Sequence, residues 1–102
     1  MTLRAFISRL LPYTIFIVSG HSMEPAIHQG SRVLIRALFF PKKGDIVACC
    51  FSNKDGIFLK RISQITETGF LVVGDNEEDS LDSRSLGEVS RAQIKGKVVA
   101  VL

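Results

Sequence analysis

Short apolar runs separated by turn signals recur along this chain from Tyr13 onward, and they constrain the fold more than any other feature. The runs are rich in β-branched and aromatic residues, which is typical of strands, and glycine, proline or asparagine lies between them. They predict strands over residues 13–18, 32–36, 45–51, 57–65, 70–73 and 94–102. Residues 52–56, with the sequence SNKDG, predict a hairpin between two of them. We therefore expect an all-β fold, built as a small sheet or barrel.

The first twelve residues carry a different pattern. Their apolar side chains recur at the spacing of one helix face: Leu3, Phe6, Ile7, Leu10 and Leu11. This spacing predicts a short amphipathic helix over residues 1–12, which ends at Pro12. A chain of 102 residues is long enough for one domain. We expect a single domain over residues 1–102, with its β core over residues 13–102.

The apolar stretch over residues 10–18 is too short to span a bilayer, which takes about 20 residues. Arg9 and Pro12 interrupt any longer span, so we expect no transmembrane segment. The basic amphipathic helix could rest on a membrane surface or pack on its own domain, and the sequence leaves both readings open. The expected location is the cytoplasm, or the inner membrane through peripheral contact.

Charge and cysteine content exclude several classes of function. The net charge of +3 is scattered along the chain, which favours a solvated basic surface, and we expect no nucleic-acid partner. Cys49 and Cys50 are adjacent, so in a strand they face opposite ways and are poorly placed to form a disulfide. Together with His21 and His28 they make no recognisable metal pattern, and we expect neither a metal nor a cofactor.

Lys60 is the residue that fits an ordinary β protein least. Phe58, Lys60 and Ile62 alternate onto one strand face, which places the amine between two large apolar side chains. Desolvation there would lower the lysine pKa, and a neutral amine is a general base. The alternative is an edge lysine whose stem lies on the sheet while its amine reaches water, and periodicity alone favours that alternative slightly.

Ser22 follows the first predicted strand of the core, within the sequence SGHSMEP of residues 19–25. Gly20 permits close backbone approach and Pro25 stiffens the exit, so nearby N–H groups could form an oxyanion hole. An ordinary loop serine is the alternative. A Ser/His/Asp triad is a further one, but His21 is a sequence neighbour of Ser22 and the spacing is not recognisable.

A long polar loop is predicted over residues 74–87, and loops of that length are usually functional. Its aspartates and asparagine could cap turns or pair with Arg61 or Arg84. Calcium binding fits poorly, because the acidic residues do not follow the spacing of a calcium loop.

Taken together, these three segments resemble the bacterial type I signal peptidases. The resemblance covers most of the chain from about Val18 onward and rests on residues 19–25, on Lys60–Arg61 and on the acidic loop in that order. Within the loop, the matching positions are Gly74, Asp75, Asn76, Ser80, Asp82, Ser83, Arg84 and Gly87. The small size is similar to a compact subgroup, the nickel-type superoxide dismutase maturation proteases.

The resemblance implies an all-β signal-peptidase-like scaffold and a role for each matching residue. Ser22 would be the nucleophile, Lys60 the general base, and Ser80 the group that orients the lysine amine. Arg61 with Asp75, and Asp82 with Arg84, would brace the site as ion pairs. The oxyanion would be held by the Ser22 N–H and groups near Gly20, and substrate contacts would include Met23 and Pro25.

The implied function is a serine endopeptidase that removes an N-terminal leader or signal peptide from a precursor protein. No cofactor is required for that chemistry. One alternative is a self-cleaving repressor-type Ser/Lys peptidase, which purified protein that clips itself would support. Another is a non-catalytic β module that binds peptides, which would leave Ser22 unlabelled by an acylating probe.

Overall fold

The computed structural model describes residues 3–6, 12–79 and 82–102. Seven strands form one antiparallel sheet in the order β1-β2-β3-β7-β4-β5-β6. The strands are β1 Leu3–Phe6, β2 Tyr13–Val18, β3 Arg32–Arg36, β4 Ile46–Phe51, β5 Lys54–Ile65, β6 Phe70–Val73 and β7 Ile94–Val101. The helical elements are short: α1 Ser83–Leu86 and two 3₁₀ turns, Glu77–Asp79 and Arg91–Gln93. The prediction of an all-β scaffold is confirmed.

The predicted N-terminal helix is wrong where the structure describes it. Leu3–Phe6 is a strand that pairs antiparallel with β2, from Leu3 opposite Val18 to Phe6 opposite Ile15. Short apolar runs fit both periodicities, and here the hydrogen-bonding edge of β2 decides between them. The remainder of the predicted helix, apart from Pro12, lies outside the described residues.

The sheet is packed on both faces, because adjacent residues of β4 and β5 belong to different core clusters. The first cluster consists of Val47, Cys49, Phe51, Phe58, Ile62, Val72, Val89 and Ile94. The second consists of Val18, Met23, Ile27, Val33, Ile35, Ala48 and Leu59. Strands buried on both faces read as continuous apolar runs, which explains why β4 has the sequence IVACCF.

The hairpin predicted over residues 52–56 is tighter than expected. β5 begins at Lys54, and Phe51 pairs with Lys54 across the turn. Gly56 has a φ of 107°, a conformation that residues with a side chain rarely adopt. Strand β5 is therefore the longest of the described strands, and it carries Lys60 near its own middle, between β4 and the edge strand β6.

Candidate active site

Ser22 lies in a compact turn that begins where β2 ends. Gly20 has a φ of 94°, which turns the chain sharply after the strand. The backbone N–H of Ile27 donates to the carbonyl of Met23 at 2.9 Å, and both side chains are buried in the second core cluster. These apolar anchors hold the turn against the sheet, and Ser22 is only 5% exposed.

Asn76 joins this turn to the loop that follows β6. Its backbone N–H donates to the carbonyl of Ser22 at 2.8 Å, and its side-chain amide donates to the carbonyl of His21 at 3.1 Å. Two hydrogen bonds from one residue fix the position of the loop relative to the serine turn. Residues 54 positions apart in the chain are thereby brought together at one place.

Lys60 lies inside the protein, with an exposed fraction of 1%. It pairs with Val47 on β4 and lies between Phe58 and Ile62 along β5. Burial raises the pKa of the neighbouring Cys49 thiol to about 12, and the Lys60 amine, when charged, acts in the opposite direction. The alternative of an edge lysine with a hydrated amine is therefore excluded.

Arg61 and Asp75 form the first of the two predicted ion pairs. Arg61 Nε donates to Oδ1 at 2.9 Å and Nη2 donates to Oδ2 at 2.8 Å, a bidentate geometry. The hydrogen bonds to Asp75 raise the pKa of the Arg61 guanidinium. Because Arg61 follows Lys60 and Asp75 precedes Asn76, this pair connects the lysine strand to the loop that contacts Ser22.

Asp82 and Arg84 form the second ion pair, at the start of α1. The Asp82 carboxylate is 1% exposed and accepts hydrogen bonds from the backbone N–H groups of Gly74 and Arg84 at 2.8 and 3.0 Å. Arg84 Nε donates to the same carboxylate at 2.9 Å. Asp82 therefore caps the helix and holds the loop against the end of β6. The predicted role of Ser80 falls outside the described residues.

The remaining predicted site residues have different environments. Met23 is 1% exposed and packs in the core, so a contact with substrate would need its side chain to leave that position. Pro25 is exposed on the surface of the turn. The N–H of Gly20 donates to Oε1 of Gln29 at 3.2 Å, so this donor is engaged within the turn.

Sequence reasoning missed a cluster of two histidines and a glutamate on the outer side of the turn. Nδ1 of His21 lies 2.9 Å from Glu24 Oε1, and Nδ1 of His28 lies 3.3 Å from Glu24 Oε2. The hydrogen bond with His21 lowers the pKa of the Glu24 carboxyl. The spacing of Glu24 from the two histidines, three and four residues, was the signal that could have revealed this cluster.

Within the described ranges, no helix is both long and apolar enough to cross a membrane. A comparison with curated proteins finds no match to the chain. A family model for Peptidase S24-like proteins matches residues 4–99, which is nearly the whole chain. That match supports a Ser/Lys peptidase or a related repressor-type function. The chain belongs to the Peptidase S24-like family.

Proposed function

We propose that this protein is a serine endopeptidase in which Ser22 and Lys60 form the catalytic dyad. The observation that carries the proposal is the burial of Lys60, whose side chain is 1% exposed between Phe58 and Ile62. A buried amine is favoured in its neutral form, and only the neutral form can accept a proton from a serine hydroxyl. Ser22 is also buried, with an exposed fraction of 5%, and both residues lie within the part of the chain that the family model matches.

The reaction would proceed through an acyl-enzyme. Ser22 Oγ attacks the scissile carbonyl carbon while Lys60 Nζ takes the hydroxyl proton. The tetrahedral intermediate collapses, the C–N bond breaks, and the lysine ammonium delivers its proton to the leaving amine. Water then attacks the ester, again with Lys60 as base, and releases the acid product and free Ser22.

The links between the two catalytic segments support this assignment. Lys60 is followed by Arg61, whose ion pair with Asp75 leads to the next residue, Asn76. The backbone N–H of Asn76 then donates to the carbonyl of Ser22. Such a connected set of hydrogen bonds can keep a base and a nucleophile in register. Arg61, Asp75, Asp82 and Arg84 are in this proposal positioning residues, and the Ser22 N–H contributes to the oxyanion hole.

The proposed substrate is a precursor protein from which an N-terminal leader or signal peptide is removed. Strand addition at a sheet edge is a common way to hold an extended peptide. Strand β6 is unsuited to it, because the outward N–H groups of Phe70, Val72 and Gly74 donate to Val89, Ser83 and Asp82. We therefore expect the extended substrate to pair with the backbone of a segment other than β6.

Cleavage of a synthetic leader peptide, with small residues before the cut, tests this function. Purified wild-type chain should cleave the peptide, whereas Ser22→Ala and Lys60→Ala should lose turnover by several orders of magnitude. Lys54→Ala is the matched control, because Lys54 lies exposed on the same strand. Near-normal turnover in Lys60→Ala would rule out the dyad.

A repressor-type self-cleaving peptidase is the second candidate, and the match to the Peptidase S24-like family favours it. It shares the dyad but cuts its own chain. Incubation of the purified protein alone would separate the two functions. First-order loss of intact chain, independent of protein concentration, would favour self-cleavage, whereas stable chain with turnover of an added peptide would favour leader removal.

A further inference from the structure

The loop between β3 and β4 presents large apolar side chains to solvent. Phe40 is 90% exposed and Leu38 is 67% exposed, the two highest values for large apolar residues in the described part of the chain. A fully exposed phenylalanine gains no stability from the fold, because folding removes little of its apolar surface from water. Its surface is available for burial against something outside this chain.

Positive charge surrounds these side chains. Lys42 and Lys43 follow Phe40 directly after Pro41. Beside the loop lies a groove of about 570 Å³, lined by Arg36, Leu38, Phe39, Phe40, Arg91, Lys97 and Val99. No acidic residue is found among the described residues that line the groove, and Lys97 pairs with Asp45 at 3.3 Å. The other four cations around the loop are Arg36, Lys42, Lys43 and Arg91. None of them forms an ion pair with a carboxylate of the described part of the chain.

The loop is held in place, so this exposure is a built feature of the fold. Arg91 stacks over the Phe39 ring, 4.9 Å from its centre, and donates to the Phe39 carbonyl at 3.2 Å. The N–H of Lys42 donates to Asp45 at 2.9 Å, and the N–H of Gly44 donates to Ile62 at 2.8 Å. These contacts anchor Phe39 inward and leave Phe40 outward.

We propose that this loop, residues 38–43, docks on an anionic lipid surface, with Leu38 and Phe40 entering the interface and the cations contacting lipid headgroups. Apolar and aromatic side chains next to lysines and arginines are the composition that binds such interfaces. A lipid surface deforms around a protruding phenylalanine, whereas a protein partner needs a pocket that fits it. A second copy of this chain would bring cations against cations, which opposes self-association.

Docking at this loop would orient the candidate site. The carbonyl of Gly44, at the end of the loop, accepts a hydrogen bond from Arg61 Nη1 at 2.8 Å. Arg61 follows Lys60 in β5, so the loop is attached directly to the strand that carries the lysine. The inference itself does not depend on catalysis, because lipid binding can be measured with Ser22→Ala protein.

A single tryptophan provides the test, because the chain contains none. Phe40→Trp should show a blue-shifted emission, and quenching by brominated lipid, when vesicles of phosphatidylglycerol and phosphatidylcholine are added. The control is Ile65→Trp, since Ile65 is also exposed, at 52%, but is the last residue of β5 and does not belong to this loop. Its emission should not change.

Vesicle binding by single variants of the native chain measures how much each side chain of the loop contributes. Phe40→Ser should weaken vesicle binding about tenfold, from the apolar surface that no longer enters the interface. Each of Lys42→Gln and Lys43→Gln should weaken it about fivefold at low salt. Ile65→Ser should leave binding unchanged.

Three results would overturn the proposal. One is an unchanged emission of Phe40→Trp with anionic vesicles. Another is a blue shift that grows with protein concentration without lipid, which would indicate self-association. The third is a blue shift with poly-glutamate but not with vesicles, which would indicate an acidic polypeptide as the partner.

Discussion

The side chain of Lys60 fills core space as well as supplying an amine, and replacing it by alanine or methionine separates the two contributions. The residue is 1% exposed, opposite Val47 and between Phe58 and Ile62. Methionine retains roughly three methylene-sized groups that alanine lacks. At about 0.8 kcal/mol per group plus a cavity term, Lys60→Ala should be less stable than Lys60→Met by about 2–4 kcal/mol.

Thermal and urea unfolding of the two variants, followed by circular dichroism, would measure that difference. For a domain of this size it corresponds to a Tm lower by about 10–25 °C in Lys60→Ala. Both variants should lack peptidase activity, because neither carries an amine. The same pair of changes at exposed Lys54 should give no comparable difference. Equal stabilities of the two Lys60 variants would refute the packing of the stem, and activity in Lys60→Met would refute the role of the amine.

Three further predictions follow from other parts of the fold. Gly69→Ala should destabilise the protein by about 1–3 kcal/mol in urea unfolding, because the added methyl would overlap the Val89 carbonyl oxygen, which is fixed by its bond from Phe70. Glu67→Ala, at an exposed position of the same turn, is the control and should change stability little. Cys49 should resist thiol reagents in the native state. Because burial raises the pKa of its thiol from 9.0 to about 12, its contribution to the free energy of unfolding should be complete below pH 9.0 and be lost as pH rises towards 12. Asp82→Asn should cost about 2 kcal/mol by the same unfolding assay, since the buried carboxylate loses charged hydrogen bonds with Arg84, and an unchanged midpoint would contradict that reasoning.

Sequence patterns were sufficient for most of the sheet. The strands predicted over residues 13–18, 32–36 and 70–73 have the observed bounds. Turn residues lie on both sides of the first and third runs, and Gly30 and Ser31 precede the second. The first strand was missed because Leu3 and Phe6 fit a helical spacing as well as a strand. Its state depends on pairing with β2, a long-range contact that local periodicity does not contain.

The residue types of the candidate site and its two ion pairs could be predicted, but the contacts between its loops could not. Alternation in β5 correctly placed Lys60 among apolar neighbours, and the family resemblance implied the pairs of Arg61 with Asp75 and Arg84 with Asp82 that the structure contains. The bonds from Asn76 to the serine turn were not predictable, because they depend on how two loops meet. The loop over residues 74–87 also forms a 3₁₀ turn and a short capped helix where no regular structure was expected.

Acylation of Ser22 by a serine-reactive probe, measured by mass spectrometry across pH, tests the Ser/Lys proposal most directly. We expect one adduct on Ser22, forming faster as pH rises through a single ionisation below the usual lysine value of about 10.4, and no adduct in Lys60→Met. Labelling that is as fast in Lys60→Met as in the native chain, or that follows an ionisation near the histidine value of about 6.5, would contradict it.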